Sequence, residues 1–213
     1  MRGGRPIWIF ALLTACSSAP STVTYGGMHL LLDSGEIEQG RELPMRIDHY
    51  GVRAVRSDAP WDGATLTFTY LGPTERDVAL ASGEIRRQVG LKLRAVDTCN
   101  VLYVMWWIEP ARGVHVSVKH NPGASTHAEC GARGYINLRP EESATPPAIE
   151  VGSTHRLSAR IVERRLEVYA DDILVWRGTL PSELPARGLV GMRSDNVRFE
   201  FSLERFEAPE RAR

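Results

Sequence analysis

The feature that most constrains the fold is a period-two alternation of apolar and polar residues that recurs along the chain. Leu66, Phe68 and Tyr70, for example, alternate with threonines. Runs of this kind occupy residues 65–70, 88–95, 101–109, 114–119, 156–161 and 197–203. Successive side chains of a strand point to opposite sides, so each run predicts a half-buried strand. Clusters of Gly, Pro, Asn and Asp separate the runs, and the whole pattern predicts an all-β sandwich or barrel.

The amino terminus has the pattern of a secretory signal. Arg2 and Arg5 precede an apolar run at residues 7–13, which is shorter than the roughly 20 residues that span a bilayer. The run ends in Leu13-Thr14-Ala15-Cys16, which resembles the lipobox of bacterial lipoproteins. An ordinary signal peptide with a chance cysteine is the alternative. The resemblance implies cleavage before Cys16 and attachment of acyl chains, palmitate among them, to that cysteine.

Cleavage before Cys16, which this resemblance implies, divides the chain into four segments. Residues 1–15 are the predicted signal peptide, 16–27 the lipidated cysteine and a flexible tether, 28–207 a β-sandwich domain, and 208–213 a disordered tail. Two acyl chains hold a protein stably on a membrane. Ser17, rather than Asp, follows the cysteine, and this implies an outer-membrane location. We therefore expect an exported envelope protein whose first partner is the membrane.

The charge balance of the mature segment excludes one class of partner. Removing Arg2 and Arg5 with the signal leaves 24 basic residues of the original 26, against 26 acidic residues. A chain so close to neutral has no bulk charge to attract a phosphate backbone, so we expect no nucleic-acid partner.

The cysteine count favours a disulfide. With Cys16 assigned to lipid, Cys99 and Cys130 remain, in a compartment where disulfides form and persist. The alternative is a metal site, because His115, His120 and His127 lie near Cys130 in sequence. Their spacing matches no common zinc pattern, so the disulfide is the preferred prediction.

The last third of the chain carries a family resemblance. Its segments are HRL at 155–157, LEVYADD at 166–172, VW at 175–176 and GLVGMRSDNV at 188–197, followed by Phe199 and Phe201. Their order is similar to the closing strands of concanavalin A-like lectin/glucanase jelly rolls, including laminin-G-type and keto-disaccharide hydrolase-like domains. The resemblance implies an antiparallel two-sheet jelly roll and a tendency to bind carbohydrate. It transfers no catalytic residue.

Strand parity predicts a candidate ligand-binding face. If Leu102, Val104 and Trp106 point into the core, the residues of alternate parity share the opposite side of the sheet. These residues are Tyr103, Trp107, His115, Lys119, Arg86, Gln88, Lys92 and Arg94. Aromatic rings stack on the apolar face of a pyranose, and the polar neighbours can bind its hydroxyl or carboxylate groups. The alternative is a face that loops cover or that solvent surrounds, with Trp107 used for packing.

Catalysis and metal binding have weaker support. Glycoside hydrolysis usually needs two carboxyl groups on one site, and the Glu-x-Asp-x-x-Glu strand of sandwich glucanases is absent from the sequence. Glu84 and Glu109 remain as edge carboxylates for a divergent enzyme. Asp171-Asp172 and Asp195-Asn196 could bind calcium, although turns also prefer these residues. We expect no other cofactor.

Together these features predict a lipid-anchored, non-catalytic β-sandwich that binds carbohydrate at the bacterial envelope. The alternatives are a structural or protein-interaction lipoprotein without a sugar site, and a divergent glycoside-processing enzyme.

Overall fold

A computed structural model of the protein describes residues 21–25, 28–38 and 44–207. Their strands form two sheets that pack face to face, and every pairing between the described strands is antiparallel. The prediction of an all-β jelly-roll sandwich is confirmed. The predicted signal peptide, Cys16 and the predicted tail at 208–213 lie outside the described residues.

The first sheet has eight strands. In spatial order they are β1 (Ser21–Tyr25), β2 (Met28–Ser34), β4 (Gly51–Arg56), β14 (Leu189–Asp195), β6 (Arg87–Ala95), β7 (Val101–Glu109), β8 (Gly113–Lys119) and β9 (Tyr135–Asn137). Because β14 lies between β4 and β6, residues far apart in sequence become neighbours across the middle of this sheet.

The second sheet has seven strands. In spatial order they are β10 (Glu142–Ser143), β13 (Ile173–Thr179), β12 (Arg165–Ala170), β11 (Thr154–Val162), β5 (Gly63–Pro73), β15 (Val197–Arg205) and β3 (Met45–Ile47). One helical turn, α1 (His127–Cys130), precedes β9. No helix among the described residues is long and apolar enough to cross a membrane.

The core between the sheets consists of the inward side chains of both. Trp106 and Trp176 are each at most 2% exposed, and Phe68 packs edge-on against Trp106 and Phe199, with ring centroids 5.9 and 6.3 Å apart. Burying each such side chain contributes about 1.5–3 kcal/mol. The alternation seen in the sequence therefore positions the sheets, because only one face of each strand can enter this core.

Part of the predicted tether is a strand. Ser21–Tyr25 pairs with β2, placing Val23 opposite Leu30, and Val23 is 8% exposed. Valine and threonine favour extended backbone, and the alternation in Ser-Thr-Val-Thr directs the valine inward. The prediction of a flexible tether through residue 27 is therefore wrong for residues 21–25.

The predicted disulfide is present. Cys99 follows β6, Cys130 ends α1, and their Cα atoms are 5.9 Å apart. Because the sulfur of Cys130 is bonded to Cys99, it cannot act as a thiolate ligand with the nearby histidines. The bond holds the segment between β8 and β9 against the loop between β6 and β7.

Candidate functional site

The side of the eight-stranded sheet that points away from the core, here called the eight-stranded face, carries the candidate site. Strand register brings its members together: Lys92 lies opposite both Tyr103 and Gly191, and Arg193 lies opposite Arg53. Tyr103 and Met105 form a small apolar cluster on this face, separate from the main core. The structure thus places Gln88, Lys92, Tyr103, Trp107, His115 and Lys119 on one face.

The centre of the face is an aspartate held by three donors. Arg193 and Gln88 donate to one carboxylate oxygen of Asp195, over 2.9 and 2.7 Å, and Arg53 donates to the other over 3.2 Å. The Asp195 side chain is 4% exposed and that of Arg193 is 10% exposed. Burial alone would lower the pKa of Arg193, but Asp195 and two tyrosines outweigh it and raise that pKa above its ordinary value. The amide oxygen of Gln88 is buried and has no hydrogen-bond partner within the described part of the chain.

Two buried lysines lie beside this centre. Lys92 forms an ion pair with Asp33, and burial lowers the pKa of Lys92 despite that carboxylate. Lys119 donates to the carbonyl oxygen of Thr98 over 3.1 Å. Burial, reinforced by Arg53 and Arg193, lowers the pKa of Lys119. This group on the face therefore contains four cations and two carboxylates: Arg53, Lys92, Lys119 and Arg193 with Asp33 and Asp195.

The exposed aromatic ring of the face is Tyr135 rather than Tyr103. Tyr103 is 3% exposed because Tyr135 of β9 stacks over it, with ring centroids 6.0 Å apart. Tyr135 is itself 42% exposed, and Lys119 lies 5.5 Å from its ring centroid. Burial raises the pKa of both phenols. The expectation of an open Tyr103 is wrong, because the segment tied by the disulfide places another tyrosine over it.

Trp107 is also covered. His115 stacks on its indole with centroids 3.5 Å apart, and the Arg86 guanidinium lies 3.6 Å from the ring centroid. Two planar groups so close to one ring cannot share a side of it, so they occupy its two faces. Arg86 is in turn ion-paired with Glu84. Burial and the charge of Arg86 lower the pKa of His115. A sugar could stack on Trp107 only after one of these side chains moved.

Arg94 does not belong to the eight-stranded face. Its backbone has a φ of 48°, a left-handed conformation that interrupts the alternation. Ala95 consequently joins the apolar cluster on the eight-stranded face, while Arg94 donates to the carbonyl oxygen of Glu163 on the β11–β12 hairpin. The prediction that Arg94 shares the face of Lys92 is therefore wrong.

Sequence reasoning missed Arg53, Arg193, Tyr135 and Asp33 and assigned Asp195 to a turn. The signal was present for the arginines, since Arg53 alternates with buried Val52 and Ala54 in the same way as Lys92 alternates with leucines. No such signal existed for Tyr135, which lies on a three-residue strand with no buried member.

The candidate carboxylates and the candidate calcium ligands have other partners. Glu109 forms an ion pair with Arg87, and Glu84 with Arg86. The Asp171 and Asp172 backbones have φ values of 48° and 66°, and that of Asn196 has 56°. Among non-glycine residues, Asn and Asp tolerate left-handed backbone best. Their conformation here agrees with the alternative prediction that these pairs form turns. Among the described residues, no three His, Cys, Asp or Glu side chains converge on a point where they could hold a metal ion.

Ser153, His155 and Asp171 have the hydrogen-bond order of a catalytic triad. The serine oxygen lies 2.7 Å from Nε2 of His155, whose Nδ1 lies 2.7 Å from a carboxylate oxygen of Asp171. However, Ser153 Oγ also accepts the amide of Glu150 within its own turn, and the histidine ring packs against Trp106 in the core, with centroids 5.4 Å apart. We therefore assign the triad to structure: it fixes the start of β11 against the turn after β12.

A groove of about 490 Å³ lies where the two sheets end beside each other. His115 and Val116 of β8 line one side, and Val175 and Trp176 of β13 line the other. Its volume is within the range of small-ligand sites. Since His115 also stacks on Trp107, this groove adjoins the edge of the eight-stranded face.

Comparison with known proteins agrees with the fold. No protein-family model matches the chain, and no curated protein matches it in sequence. Among solved structures, it is similar to the carbohydrate-binding module CBM66 from Bacillus subtilis, with 15% identity and a TM-score of 0.57 over 82% of this chain and 94% of the module. That level of identity shows a shared fold and no more.

Two other solved structures are similar at lower TM-scores. A tetrameric galectin from the ball sponge Cinachyrella sp. is 13% identical, with a TM-score of 0.43 over 78% of this chain and all of the galectin. Domain 4 of AbnA, a GH43 extracellular arabinanase from Geobacillus stearothermophilus, is 10% identical, with a TM-score of 0.41 over 81% of this chain and 76% of that domain. The chain is a β-sandwich of two antiparallel sheets.

Proposed function

We propose that the protein binds carbohydrate, without cleaving it, on the eight-stranded face around Arg53, Asp195 and Tyr135. The observation that carries this proposal is the buried polar cluster on a sheet surface outside the core. Folding alone does not need it, because burying charged groups costs free energy that apolar residues would not. A fixed set of guanidinium, amide and carboxylate groups is suited to the hydroxyls of a sugar.

The aromatic and basic groups define the ligand further. Tyr135 offers a ring, 42% exposed, on which the apolar side of a sugar can stack. The excess of cations over carboxylates favours sugars that carry a negative group. The shared fold with a carbohydrate-binding module supports the proposal at the level of architecture.

A glycan array probed with the chain from Ser17 onward tests this function, and titration calorimetry then measures the affinity of any sugar that binds. Losing a hydrogen bond to a charged group costs about 1.5–3 kcal/mol, so Arg53→Gln should weaken binding by about tenfold or more. Tyr135→Ala should weaken sugar binding by a similar factor, because loss of a stacking ring removes on the order of 1 kcal/mol or more of binding free energy.

Arg165→Gln is the matched control, because Arg165 is an exposed, ion-paired arginine on the other sheet. Its affinity should equal that of the unaltered chain. Failure to bind any glycan would contradict the proposal and favour a structural or protein-interaction role. Release of products from a bound polysaccharide would contradict the non-catalytic part, and substitution of Glu84 and Glu109 would then follow.

We also propose that Cys16 is lipidated and holds the protein on the outer membrane. The lipobox supports this proposal. Labelling of cells with an alkynyl palmitate should mark the unaltered protein and leave Cys16→Ser unmarked. A labelled Cys16→Ser variant, or an unlabelled wild type, would contradict it.

A further inference from the structure

A second pocket lies at the end of the sandwich where Arg94 points. It has a volume of about 330 Å³, which is large enough for a single sugar-sized ring. The end of β6, the β11–β12 hairpin, the segment before β5 and the loop between β13 and β14 enclose it. The residues on which its chemistry depends are Asp62, Arg94, Ile161, Arg164, Leu184 and Arg187.

The backbone holds Arg94 in this pocket under strain. A non-glycine residue at a φ of 48° is in a strained left-handed conformation, and such strain is found preferentially at functional sites. The loop between β13 and β14 closes tightly on it: a Cβ on Gly188 would lie 2.3 Å from the Arg94 carbonyl carbon. Glycine is therefore required for the loop to approach this closely.

The charge of Arg94 is poorly compensated. Its side chain is 9% exposed, and its nearest carboxylate oxygen, on Asp62, is 3.9 Å away on a side chain that is 67% exposed. One guanidinium nitrogen donates to the Glu163 carbonyl over 3.1 Å, while Nε is buried with no hydrogen-bond partner among the residues that the structure describes. Burial lowers the pKa of Arg94, and Asp62 opposes this only in part.

Two further arginines reinforce the positive character of the pocket. Arg164 donates twice to the carbonyl oxygen of Leu180, over 3.1 and 2.7 Å, so it fixes the loop without meeting a carboxylate. Arg187 is exposed and has no hydrogen bond or ion pair to the part of the chain that the structure describes. Against these three cations the pocket contains Asp62 and Glu163, both exposed.

Apart from Ser182, the remaining wall of the pocket is apolar. Ile161 and Leu184 are 5% and 6% exposed, and Pro181 lies beside them. The pocket therefore pairs a desolvated guanidinium with an apolar wall. A guanidinium matches the two oxygens of a carboxylate, and the apolar wall suits the carbon face of a ring.

We infer that this pocket is a second binding site, separate from the eight-stranded face, for a carboxylate on a small ring such as a hexuronate. The carboxylate is placed on Arg94, with Arg187 at the pocket mouth and the ring against Ile161 and Leu184. A purely structural Arg94 would need only one donor for the Glu163 carbonyl, whereas arginine presents five.

The test is a titration of the isotope-labelled chain from Ser17 onward, followed by amide NMR, with D-glucuronate and D-galacturonate. Glucose and galactose at equal concentrations supply the neutral controls, and sodium sulfate supplies a small anion without a ring. We expect shifts at Ser182 and Arg187 with the uronates, saturating at lower concentration than with sulfate, and none with the neutral sugars. Equal shifts with all three classes, or none with the uronates, would overturn the inference.

Substitutions separate this site from the first. Arg94→Lys keeps one donor for the hairpin carbonyl and should weaken uronate binding by about tenfold or more. Arg187→Gln, at an exposed position that cannot affect folding greatly, should weaken it by roughly two- to fivefold. Arg53→Gln should leave these shifts unchanged, since it removes a group of the other face. Unchanged binding in Arg187→Gln, together with loss in Arg53→Gln, would assign the uronate to the eight-stranded face and contradict a second site.

Discussion

The outward sides of the two sheets carry similar kinds of side chain in different surroundings. On the seven-stranded sheet, Arg165 pairs with Glu141 and both are about half exposed. Arg160 and Arg177 flank Glu167, which also accepts the Tyr169 hydroxyl. Each of these three arginines has a carboxylate partner. On the eight-stranded face, Lys92, Lys119, Arg193 and Asp195 have side chains that are at most about a tenth exposed.

This difference separates charges that keep a surface soluble from charges held for another purpose. Exposed pairs such as Arg165–Glu141 contribute between about 0 and 1 kcal/mol each, so the seven-stranded sheet could exchange such a pair at little cost. Buried charges without full compensation lower the free energy of unfolding, and we infer that a function accounts for their presence here. The comparison is therefore the physical basis for placing the candidate site on the eight-stranded face.

The largest expected effect comes from removing the aspartate at the centre of that face. Asp195→Ala leaves Arg193 buried and unpaired, which should lower the free energy of unfolding by about 3–5 kcal/mol. Glu142→Ala removes the 58%-exposed partner of Arg177 on the other sheet and should cost less than about 1 kcal/mol. Urea unfolding of both variants measures the difference. Similar losses of unfolding free energy in the two variants would contradict the proposed difference between the two sheets.

The next effect concerns the segment that covers the face. Replacing both Cys99 and Cys130 by alanine opens a loop with a sequence separation of 31 residues, and should cost about 3–4 kcal/mol. It should also loosen Tyr135 and expose Tyr103, which solvent perturbation of tyrosine absorbance can follow at temperatures where the variant is folded. A variant with unchanged tyrosine exposure would show that the disulfide does not position this cover.

A smaller effect tests the cost of a buried lysine. Lys119→Met should raise the free energy of unfolding by about 1 kcal/mol at neutral pH, since it removes a buried charge whose hydrogen bond goes to a carbonyl oxygen and not to a carboxylate. Burial lowers the pKa of Lys119 in the folded chain, whereas the unfolded chain keeps its ordinary value of 10.5. Between the two pKa values the unfolded state binds more protons, so stability from this group rises with pH.

The advantage of Lys119→Met should accordingly shrink as the pH rises through the folded pKa toward 10.5. Arg165→Met on the seven-stranded sheet should show no such dependence, because arginine stays protonated. Urea midpoints of the three chains at several pH values measure this. A stability gain that is constant with pH would contradict the assignment to charge burial.

The smallest expected effect is a shift in the pKa of His115 beside Trp107. Arg86 lies on Trp107 and helps burial to lower the pKa of His115, so Arg86→Ala should raise that pKa toward its ordinary value of 6.5. Proton NMR of the imidazole against pH measures it. Arg160→Ala, which removes a cation over the Phe206 ring of the other sheet, is the control and should leave His115 unchanged. An unshifted His115 in Arg86→Ala would show that Arg86 does not cover the indole in solution.

Much of the fold could be predicted from sequence because alternation reports directly on burial. Val89, Leu91 and Leu93 entered the core as expected, and the two cysteines were correctly paired. The site was predicted only in part. Parity placed Lys92 and Tyr103 on one face, but parity fails where the backbone turns left-handed, as at Arg94. Strand parity also contains no information about which segments cover a face, and so Tyr103 and Trp107 were expected to be accessible to a ligand.

The sequence by itself determined that this chain forms half-buried strands, because local periodicity does not depend on which strands become neighbours. The cysteine count favoured a 99–130 disulfide, and the structure shows that bond. The amino-terminal signal of the chain predicts export and lipid attachment in the same local way. Only the tertiary structure decided that Arg53, Arg193 and Asp195 meet, since β14 lies between β4 and β6 and joins residues more than 100 positions apart. The same non-local packing places Tyr135 over Tyr103 and Arg94 in a separate pocket. Sequence alone could not show either, because sheet order and loop closure depend on the whole chain.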